Sequence, residues 1–189
     1  MSDCCGLLNE LSVSALGLMA ILSEKPMTGY ELKKMIEQPE FIYWKNSFGS
    51  IYPNLSKITK LNLAEKTRDD LNGRQRIVYS LTEKGHELVR EWFHLPASKK
   101  PVKIELLLKL RFAYPYGRDT ILNLLKEYRD YHKTRLPDFY ENLMYLEGFK
   151  DSTLQTETKR MNADFWYRLT KMFIEWSESS ISRIEMDTH

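Results

Sequence analysis

The chain has 189 residues, of which 42% are hydrophobic and 29% charged, so it is long enough for one or two domains with hydrophobic cores. Its 28 basic and 26 acidic residues leave a formal charge of +2, which argues against a protein that coats nucleic acid nonspecifically. No apolar run reaches the length of about 18 residues that a membrane-spanning helix needs, so we expect no membrane partner.

Two adjacent cysteines, Cys4 and Cys5, lie near the beginning of the chain, and the sequence holds no others. The interpretation that we favour is a reduced pair in a cytoplasmic protein, and the alternatives are a redox sensor or half of a metal site. The apolar run at residues 11–22 follows Asp3 and Glu10 rather than basic residues, so we do not expect a signal peptide.

Two helices are predicted before residue 40. Residues 11–23 are almost wholly apolar or small, which indicates a buried first helix. Thr28 and Glu31 have the spacing of a capping box, in which each side chain accepts a hydrogen bond from the backbone of the other, and they predict the start of a second helix. Apolar residues at helical spacing continue this helix until Pro39: Leu32, Met35 and Ile36.

A third helix, predicted at residues 47–60, has two unlike faces. At about 100° per residue, Ile51, Leu55 and Ile58 form a buried stripe. The opposite face is small, hydroxyl-bearing and cationic, which suits close approach to phosphates and to base edges in the major groove. The residues of this helix that we predict to bind DNA are Ser47, Gly49, Ser50, Tyr52, Pro53, Ser56, Lys57 and Lys60. Taken alone, the helix is more simply a solvated amphipathic one.

The next segment has the pattern of a basic hairpin and favours the DNA-binding interpretation. Residues 63–68 and 76–81 alternate as strands do, and the turn predicted at residues 69–73 ends in Asn-Gly, a pair that adopts positive φ at low cost. Cations on such a ribbon fit phosphates or the minor groove. Those that we predict to bind DNA are Lys66, Arg74 and Arg76. A helix with a DNA-compatible face followed by a basic ribbon predicts a winged helix-turn-helix.

The positive charge of the chain is concentrated in this region. Residues 25–90 contain 12 basic and 8 acidic residues, so they carry +4 and the remainder carries −2. The excess is modest and lies where DNA is expected to bind. Selective binding by a dimer is therefore expected, rather than nonspecific coating of DNA.

Four motifs within residues 11–95 resemble those of the PadR family of bacterial transcriptional regulators. They are Leu16-Gly17-Leu18, Met27-Thr28-Gly29-Tyr30-Glu31-Leu32, Gly49-Ser50-Ile51-Tyr52-Pro53, and Gly73-Arg74 with Tyr79-Ser80-Leu81-Thr82-Glu83-Lys84-Gly85. Gln75 departs from the family pattern, which has proline between two basic residues, and residues 60–63 lack the usual acidic residue and glycine. The resemblance implies a homodimeric regulator, usually a repressor, that releases DNA when a small molecule or another signal arrives.

The rest of the chain is predicted to be helical. A helix after Thr82 ends at Pro96, and Lys99-Lys100-Pro101 forms a linker, so the expected division is a winged helix-turn-helix domain at residues 1–97 and a helical domain at residues 98–189. Further helices are predicted at residues 102–113 and from residue 118, the second broken or kinked by Pro137. Their expected inward residues include Ile121, Leu122, Leu124, Leu125, Tyr128, Phe139, Leu143, Met144 and Leu146. The predicted fold class is mainly α with a small β-hairpin wing.

The last helix is predicted to begin near Ser152 and to carry a long apolar stripe. The stripe consists of Leu154, Met161, Phe165, Leu169, Met172 and Trp176. Because this surface exceeds what one small helical layer covers, we favour pairing with the same helix of a second copy over an ordinary internal core. The resemblance to the larger PadR subfamily implies such a C-terminal dimerisation domain. A dimer would present two recognition helices to an inverted-repeat operator in double-stranded DNA.

Aromatic and polar residues near the predicted domain junction are candidates for binding a small phenolic or other planar effector. They are Tyr114, Tyr116, Tyr128, Tyr131 and His132. Aromatic residues at helical spacing are more often part of a core, which is the alternative interpretation.

The sequence motifs of an enzyme are missing. The four histidines are scattered without paired ligand spacing, and no P-loop, dinucleotide fingerprint or nucleophile elbow is present. We therefore predict no catalytic residue, metal or cofactor. The alternative function is a winged-helix adaptor that binds other proteins without binding DNA specifically.

Overall fold

The computed structural model describes residues 2–38, 41, 51–71, 74–97, 103–151 and 153–186, with the backbone alone at residues 2–5, 70, 71 and 74. The chain forms two compact units, Met1–Lys99 and Lys100–His189. No helix in the described ranges is long and apolar enough to cross a membrane.

The first unit combines helices with a three-stranded antiparallel sheet. The order along the chain is α1 (Ser2–Glu10), α2 (Val13–Glu24), β1 (Met27–Thr28), α3 (Gly29–Ile36), α4 (Ile51–Lys60), β2 (Ala64–Leu71), β3 (Arg74–Leu81) and α5 (Glu83–His94). The strands lie in the order β1-β3-β2, so β3 is central. This confirms the fold class predicted from the sequence, a mainly helical chain with a small β wing.

The first predicted helix differs from the observed one at its beginning. Helix α2 starts at Val13 rather than at Leu11, because the Ser12 hydroxyl accepts the Ala15 N–H at 3.1 Å and caps the helix. Leu11 is buried between α1 and α2 and belongs to the core. Helix α1 itself was not predicted, since residues 2–10 show no clear apolar periodicity.

The capping box at the beginning of α3 is present as predicted. The Thr28 hydroxyl accepts the Glu31 N–H at 3.1 Å, and a Glu31 carboxylate oxygen accepts the Thr28 N–H at 2.7 Å. Thr28 also belongs to β1, where it pairs with Val78 of β3. The box therefore joins the start of α3 to the sheet.

The hairpin turn is tighter than predicted. Strands β2 and β3 pair as far as Leu71 with Arg74, so only residues 72 and 73 connect them. Three residues expected in the turn, at positions 69–71, lie in β2 instead. An Asn-Gly pair is sufficient for a two-residue hairpin connection, so Asp69 and Asp70 before it remain in the strand.

The backbone just before β2 lies very close to the backbone at the start of α5. The Leu63 carbonyl oxygen accepts the Thr82 N–H at 3.1 Å, and a Cβ at position 85 would overlap that same oxygen. Thr82 caps α5 by accepting the Gly85 N–H at 3.1 Å. Glycine at position 85 is therefore required by the packing of the helix start.

The core of the first unit is apolar and drawn from α2, α3, α4 and α5. Among the larger side chains of this core, those with no solvent exposure are Leu18, Met19, Leu32, Leu55, Ile58 and Leu88 of the helices and Leu63, which precedes β2. Burial of each such side chain stabilises the fold by about 1.5–3 kcal/mol before the entropy cost. The sheet and α4 are both anchored to this core.

The second unit is helical in its described residues. It contains α6 (Glu105–Phe112), a 3-10 turn (Tyr114–Tyr116), α7 (Arg118–Lys133), α8 (Leu136–Glu147) and α9 (Leu154–Met186), and α7 and α8 pack on α9. Pro137 lies in the first turn of α8, so the predicted break occurs there. Met144 is 43% exposed, so its predicted inward position is wrong.

Arg160 fixes the end of α8 to α9. Its guanidinium donates hydrogen bonds to the carbonyl oxygens of Leu146 and Phe149 and to the Glu157 carboxylate. Carbonyl groups at the end of a helix have no partner within the helix, so this arginine satisfies one of them at Leu146 and a second carbonyl just beyond the helix at Phe149.

Candidate nucleic-acid interface

Helix α4 has the two unlike faces that the sequence predicts. Leu55 and Ile58 are fully buried, and Tyr52 is 62% exposed. The other described residues of the outer face are exposed too: Pro53, Ser56, Lys57 and Lys60. The first turn of α4 holds no acidic residue that would oppose an approaching phosphate. Three predicted contacts, Ser47, Gly49 and Ser50, lie outside the described residues.

The ring of Tyr52 rests against the beginning of α3. A Cβ at Gly29 would lie 2.7 Å from Cε1 of Tyr52, a separation that a real side chain could not keep. Glycine at position 29 therefore makes room for the ring. Contact with the neighbouring helix holds the tyrosine in place while most of its side chain faces solvent, and such preorganisation lowers the entropy cost of binding a partner.

Lys57 is engaged within the protein. Its Nζ donates a hydrogen bond to the Glu10 carbonyl oxygen at 2.6 Å. Glu10 is the last residue of α1, where carbonyl groups lack helical partners. Lys57 thus ties α4 to α1, and any contact of its ammonium group with another partner must share or replace this bond.

Two predicted DNA-binding cations lie at opposite ends of the ribbon. Arg74 pairs with Leu71 directly beside the turn, and Lys66 pairs with Tyr79 much nearer the body of the unit. Lys66 precedes Leu71 by five positions along the strand, which corresponds to about 17 Å. Lys66 is exposed.

Arg76 lies between two carboxylates. Its Nε and Nη2 donate to Oδ2 of Asp69 at 2.8 and 2.6 Å, and Nη1 lies 3.8 Å from Oε1 of Glu31. Hydrogen bonds from the Thr28 N–H and hydroxyl, followed by the charges of Arg76 and Lys25, lower the pKa of Glu31. Glu31 is therefore ionised at neutral pH.

The five predicted effector residues do not form one pocket within the second unit. Tyr114 and Tyr116 are exposed beside the beginning of α7, whereas His132 lies near its end, about 21 Å away along the helix axis from Arg118. The predicted grouping of all five residues is therefore wrong, because α7 separates the two tyrosines at its beginning from the residues near its end. Around His132, the ring centroids of Tyr128, Phe173 and Tyr131 lie at 4.5, 4.7 and 5.1 Å.

His132 is buried, with no hydrogen-bond partner at either ring nitrogen among the described residues. Burial, and secondarily the charge of Arg135, lower the pKa of His132 from 6.5 to about 4. The Arg135 guanidinium lies 4.2 Å from the centroid of the Tyr131 ring. We call Tyr128, Tyr131, His132, Arg135 and Phe173 the α7 aromatic cluster.

Helix α9 exposes the predicted apolar stripe. Its buried face is formed by Ala163, Thr170, Ile174, Ser177 and Ile181. On the opposite face Leu154, Met161, Phe165 and Met172 are 46–81% exposed, and Leu169 and Trp176 are half-buried. The helix therefore packs internally through one face, which includes Ile174 and Ile181, and exposes most of the large apolar side chains of the other.

Two family models match the chain. The transcriptional regulator PadR-like family matches residues 18–91, and the virulence activator alpha C-term family matches residues 102–185. The chain belongs to the PadR-like family of transcriptional regulators. This family consists of regulators rather than enzymes. No curated protein matches the sequence significantly.

Solved structures agree with this PadR-like assignment. Bacillus subtilis PadR in complex with operator DNA is 19% identical, with a TM-score of 0.78 and coverage of 92% of this chain and 98% of that one. The Vibrio cholerae virulence activator AphA is 20% identical, with a TM-score of 0.72 and the same coverage. Bacillus subtilis PadR with p-coumaric acid is 20% identical, with a TM-score of 0.70 and coverage of 92% and 99%. At these identities the likeness establishes the fold.

Two features of this PadR-like surface were missed in the sequence. The pairing of Arg76 with Asp69 follows from a two-residue Asn-Gly turn, which sets residue 69 opposite residue 76, so the signal was present. The bond from Lys57 to Glu10 joins residues 47 positions apart. No local pattern could have indicated it.

Proposed function

We propose that this PadR-like regulator is a homodimer that binds an inverted-repeat operator and represses transcription until a small aromatic acid releases it. The observation that carries the proposal is the exposed polar and cationic face of α4, which lies in the same compact unit as a basic two-stranded ribbon. The unit with α4 is the proposed DNA-binding domain, and the unit with α9 is the proposed dimerisation domain.

In the proposed complex α4 enters the major groove. Tyr52 and Ser56 offer hydroxyl groups to base edges or phosphates, and Lys60 offers an exposed ammonium group to the backbone. The ribbon follows the neighbouring backbone, with Arg74 at its tip and Lys66 nearer its base. Bacillus subtilis PadR, which has the same fold, was solved with operator DNA, and this supports the assignment.

Dimerisation through the exposed stripe of α9 is supported by the chemistry of the two faces. Large apolar side chains spaced three, four or seven residues apart between Leu154 and Trp176 form a seam of the kind that pairs helices. Solvent-exposed surface of this size and continuity on one helix is typical of a protein interface. Two joined copies would double the number of contacts with DNA and fix the spacing of the half-sites.

The proposed signal is a small aromatic acid. Bacillus subtilis PadR was solved with p-coumaric acid, and in this chain the α7 aromatic cluster combines stacking rings with a guanidinium group. The Arg135 Nε is buried without a hydrogen-bond partner among the described residues, so a carboxylate would satisfy it. Of the predicted effector residues, Tyr128, Tyr131 and His132 belong to this cluster.

The test of DNA binding is fluorescence anisotropy with DNA from upstream of the protein's own coding sequence. A specific regulator should bind one fragment at least about a thousandfold more tightly than a scrambled duplex at physiological salt. Lys60→Ala should weaken both affinities and reduce the salt slope by about 0.9. Equal binding to upstream and scrambled DNA would instead favour the adaptor.

The effector is tested by adding p-coumaric acid to the preformed DNA complex. Release of the DNA by the parent, and a weaker response in Arg135→Gln, is the expected result. The matched control is Arg129→Gln, which removes a guanidinium of α7 that already pairs with Asp130. A response that is unchanged in Arg135→Gln would place the effector elsewhere.

A further inference from the structure

Arg76 was grouped with the DNA-binding cations because it follows the turn of the ribbon by three residues. The strand register places Arg76 opposite Asp69, two residues along β3 from Arg74 at the tip. Its side chain is 36% exposed, so it is partly covered by its neighbours. The contacts of the guanidinium decide what it can do.

The principal partner of Arg76 is Asp69 on the adjacent strand. Two nitrogens, Nε and Nη2, donate to the same carboxylate oxygen at 2.8 and 2.6 Å. A guanidinium held at two donors has a fixed plane and direction. It links the outer strand β2 to the central strand β3.

The second partner, Glu31, belongs to a different element. Its Oε2 accepts the Thr28 N–H in the capping box of α3, and its Oε1 faces Nη1 of Arg76 at 3.8 Å. One carboxylate therefore contacts both the first turn of α3 and the ribbon. Since α3 also supports the ring of Tyr52 through Gly29, the ribbon and the recognition surface share one support.

The charge of this group of three does not suit a phosphate. One guanidinium and two carboxylates sum to −1, and both carboxylates lie at the nitrogens that a phosphate would need. Arg76 would have to leave Asp69 to contact DNA and would expose an unpaired carboxylate near the phosphate backbone. Such a rearrangement opposes binding.

We propose that Arg76 is a positioning residue, which fixes the direction of the ribbon relative to α3 and α4 by bridging Asp69 and Glu31, and that it does not bind phosphate. The proposal rests on the proposed DNA-binding function. It also assigns Asp69 and Glu31, two acidic residues of a DNA-binding surface, a favourable role in operator binding.

The decisive variant is Asp69→Asn, because the two possible roles of Arg76 predict opposite changes in operator affinity for it. If Arg76 positions the ribbon, Asp69→Asn and Arg76→Gln should each weaken operator affinity about three- to tenfold, the size expected from loss of a partly exposed, charge-assisted contact. The double variant should lose no more than the single ones. The slope of affinity against salt should stay unchanged in all three, although Asp69→Asn makes the protein more positive.

If Arg76 binds phosphate instead, Asp69→Asn should free it and tighten binding. Arg76→Gln should then reduce the salt slope by about 0.9, and this result would overturn the proposal. Lys60→Gln serves as the calibration for loss of a proposed phosphate contact. Unchanged affinity in both Asp69→Asn and Arg76→Gln would also overturn it.

Glu31→Gln isolates the third member of the group. Glutamine still completes a capping box, so α3 keeps its N-terminal hydrogen bonds while the charge that faces Arg76 is lost. We expect a smaller loss of operator affinity than in Asp69→Asn, because the separation is 3.8 Å. A melting temperature near that of the parent shows that each variant folds.

Amide hydrogen exchange on the free proteins tests the bridge without DNA. Loss of Asp69 or Arg76 should accelerate exchange in β1, β2 and β3 and leave exchange in α2 unchanged. If the parent binds no DNA specifically, the proposed function fails. The exchange experiment still tests whether the contacts of Arg76 with Asp69 and Glu31 hold the ribbon in place. Exchange in the ribbon that is the same in Arg76→Gln and the parent would show that the bridge positions nothing.

Discussion

Helices α4 and α9 both have a buried and an exposed face, but the exposed faces differ in chemistry. Helix α4 buries Leu55 and Ile58 and exposes tyrosine, serine and lysine. Helix α9 buries a mixed face that includes Thr170, Ile174 and Ile181, and it exposes large apolar side chains. The same periodicity in the sequence therefore leads to opposite outer surfaces.

The difference fits the two proposed partners, which are DNA for α4 and a second copy of the chain for α9. A polar and cationic face is stable in water and gains binding free energy from contacts with phosphates. Such a face suits a complex that forms and dissociates reversibly. A continuous apolar face is costly to leave in water, which suits a permanent interface with a second copy. Substitutions in the two units should therefore affect the two surfaces separately.

Gly85→Ala should damage the unit that contains α4 and spare the one that contains α9. The new Cβ would overlap the Leu63 carbonyl oxygen, and the backbone shift that relieves it should lower the free energy of unfolding by about 1–3 kcal/mol. Hydrogen exchange should increase in α2 and α5 but not in α9. Gly6→Ala, which has open space around it, is the control and should not destabilise the protein.

The sequence was sufficient for the local features of the first unit. Thr28 and Glu31 form their capping box, Leu55 and Ile58 are buried, and β2 and β3 form a hairpin. Each of these depends on residues close together in the chain. Local chemistry at helix starts and turns is specific enough to be recognised without a structure.

Sequence was insufficient where distant segments meet. The length of α7 separates Tyr114 and Tyr116 from the other three predicted effector residues. Lys57 bonds to the end of a helix 47 residues earlier. For α9, periodicity identified an apolar stripe, but only the structure shows that other residues of the same helix supply the internal core. These facts depend on packing between elements.

Acidification should weaken the second unit more than the first. The pKa of His132 is lowered to about 4 in the folded protein, whereas the unfolded chain binds this proton near pH 6.5. Its stabilising contribution is complete above pH 6.5 and should fall by up to about 1.4 kcal/mol per pH unit down to pH 4, about 2–3 kcal/mol in all.

The pH effect is measured by urea unfolding monitored through exchange in α7 and α9. His132→Leu should flatten the dependence between pH 4.5 and 6.5. His94→Gln, at an exposed histidine of α5, should leave it unchanged. A steep dependence that persists in His132→Leu would assign the titration to other groups.

Substitution of either lysine of α4 should have a smaller effect, and the two substitutions should differ in their consequences for α1. Lys60→Ala should weaken DNA binding about three- to tenfold, as expected for one lost phosphate contact. Lys57→Ala should weaken it too, and should also loosen α1, because the bond to the Glu10 carbonyl is lost. Hydrogen exchange in α1 that increases in Lys57→Ala but not in Lys60→Ala is the expected distinction.

The central claim is that the exposed stripe of α9 joins two DNA-binding units on one operator. The variant Leu169→Glu with Met172→Glu places charges in the middle of that stripe, and Ser182→Glu adds a charge to an exposed position about 100° around the same helix. The operator itself is defined first by footprinting with the parent.

Sedimentation and DNA binding should then be measured on the same preparations of parent, stripe variant and control. We predict that the stripe variant is a folded monomer that binds an isolated half-site as the parent does and loses about a hundredfold or more of the affinity for the full inverted repeat. Ser182→Glu should behave as the parent. A stripe variant that remains dimeric, or a monomer that keeps full operator affinity, would contradict the account.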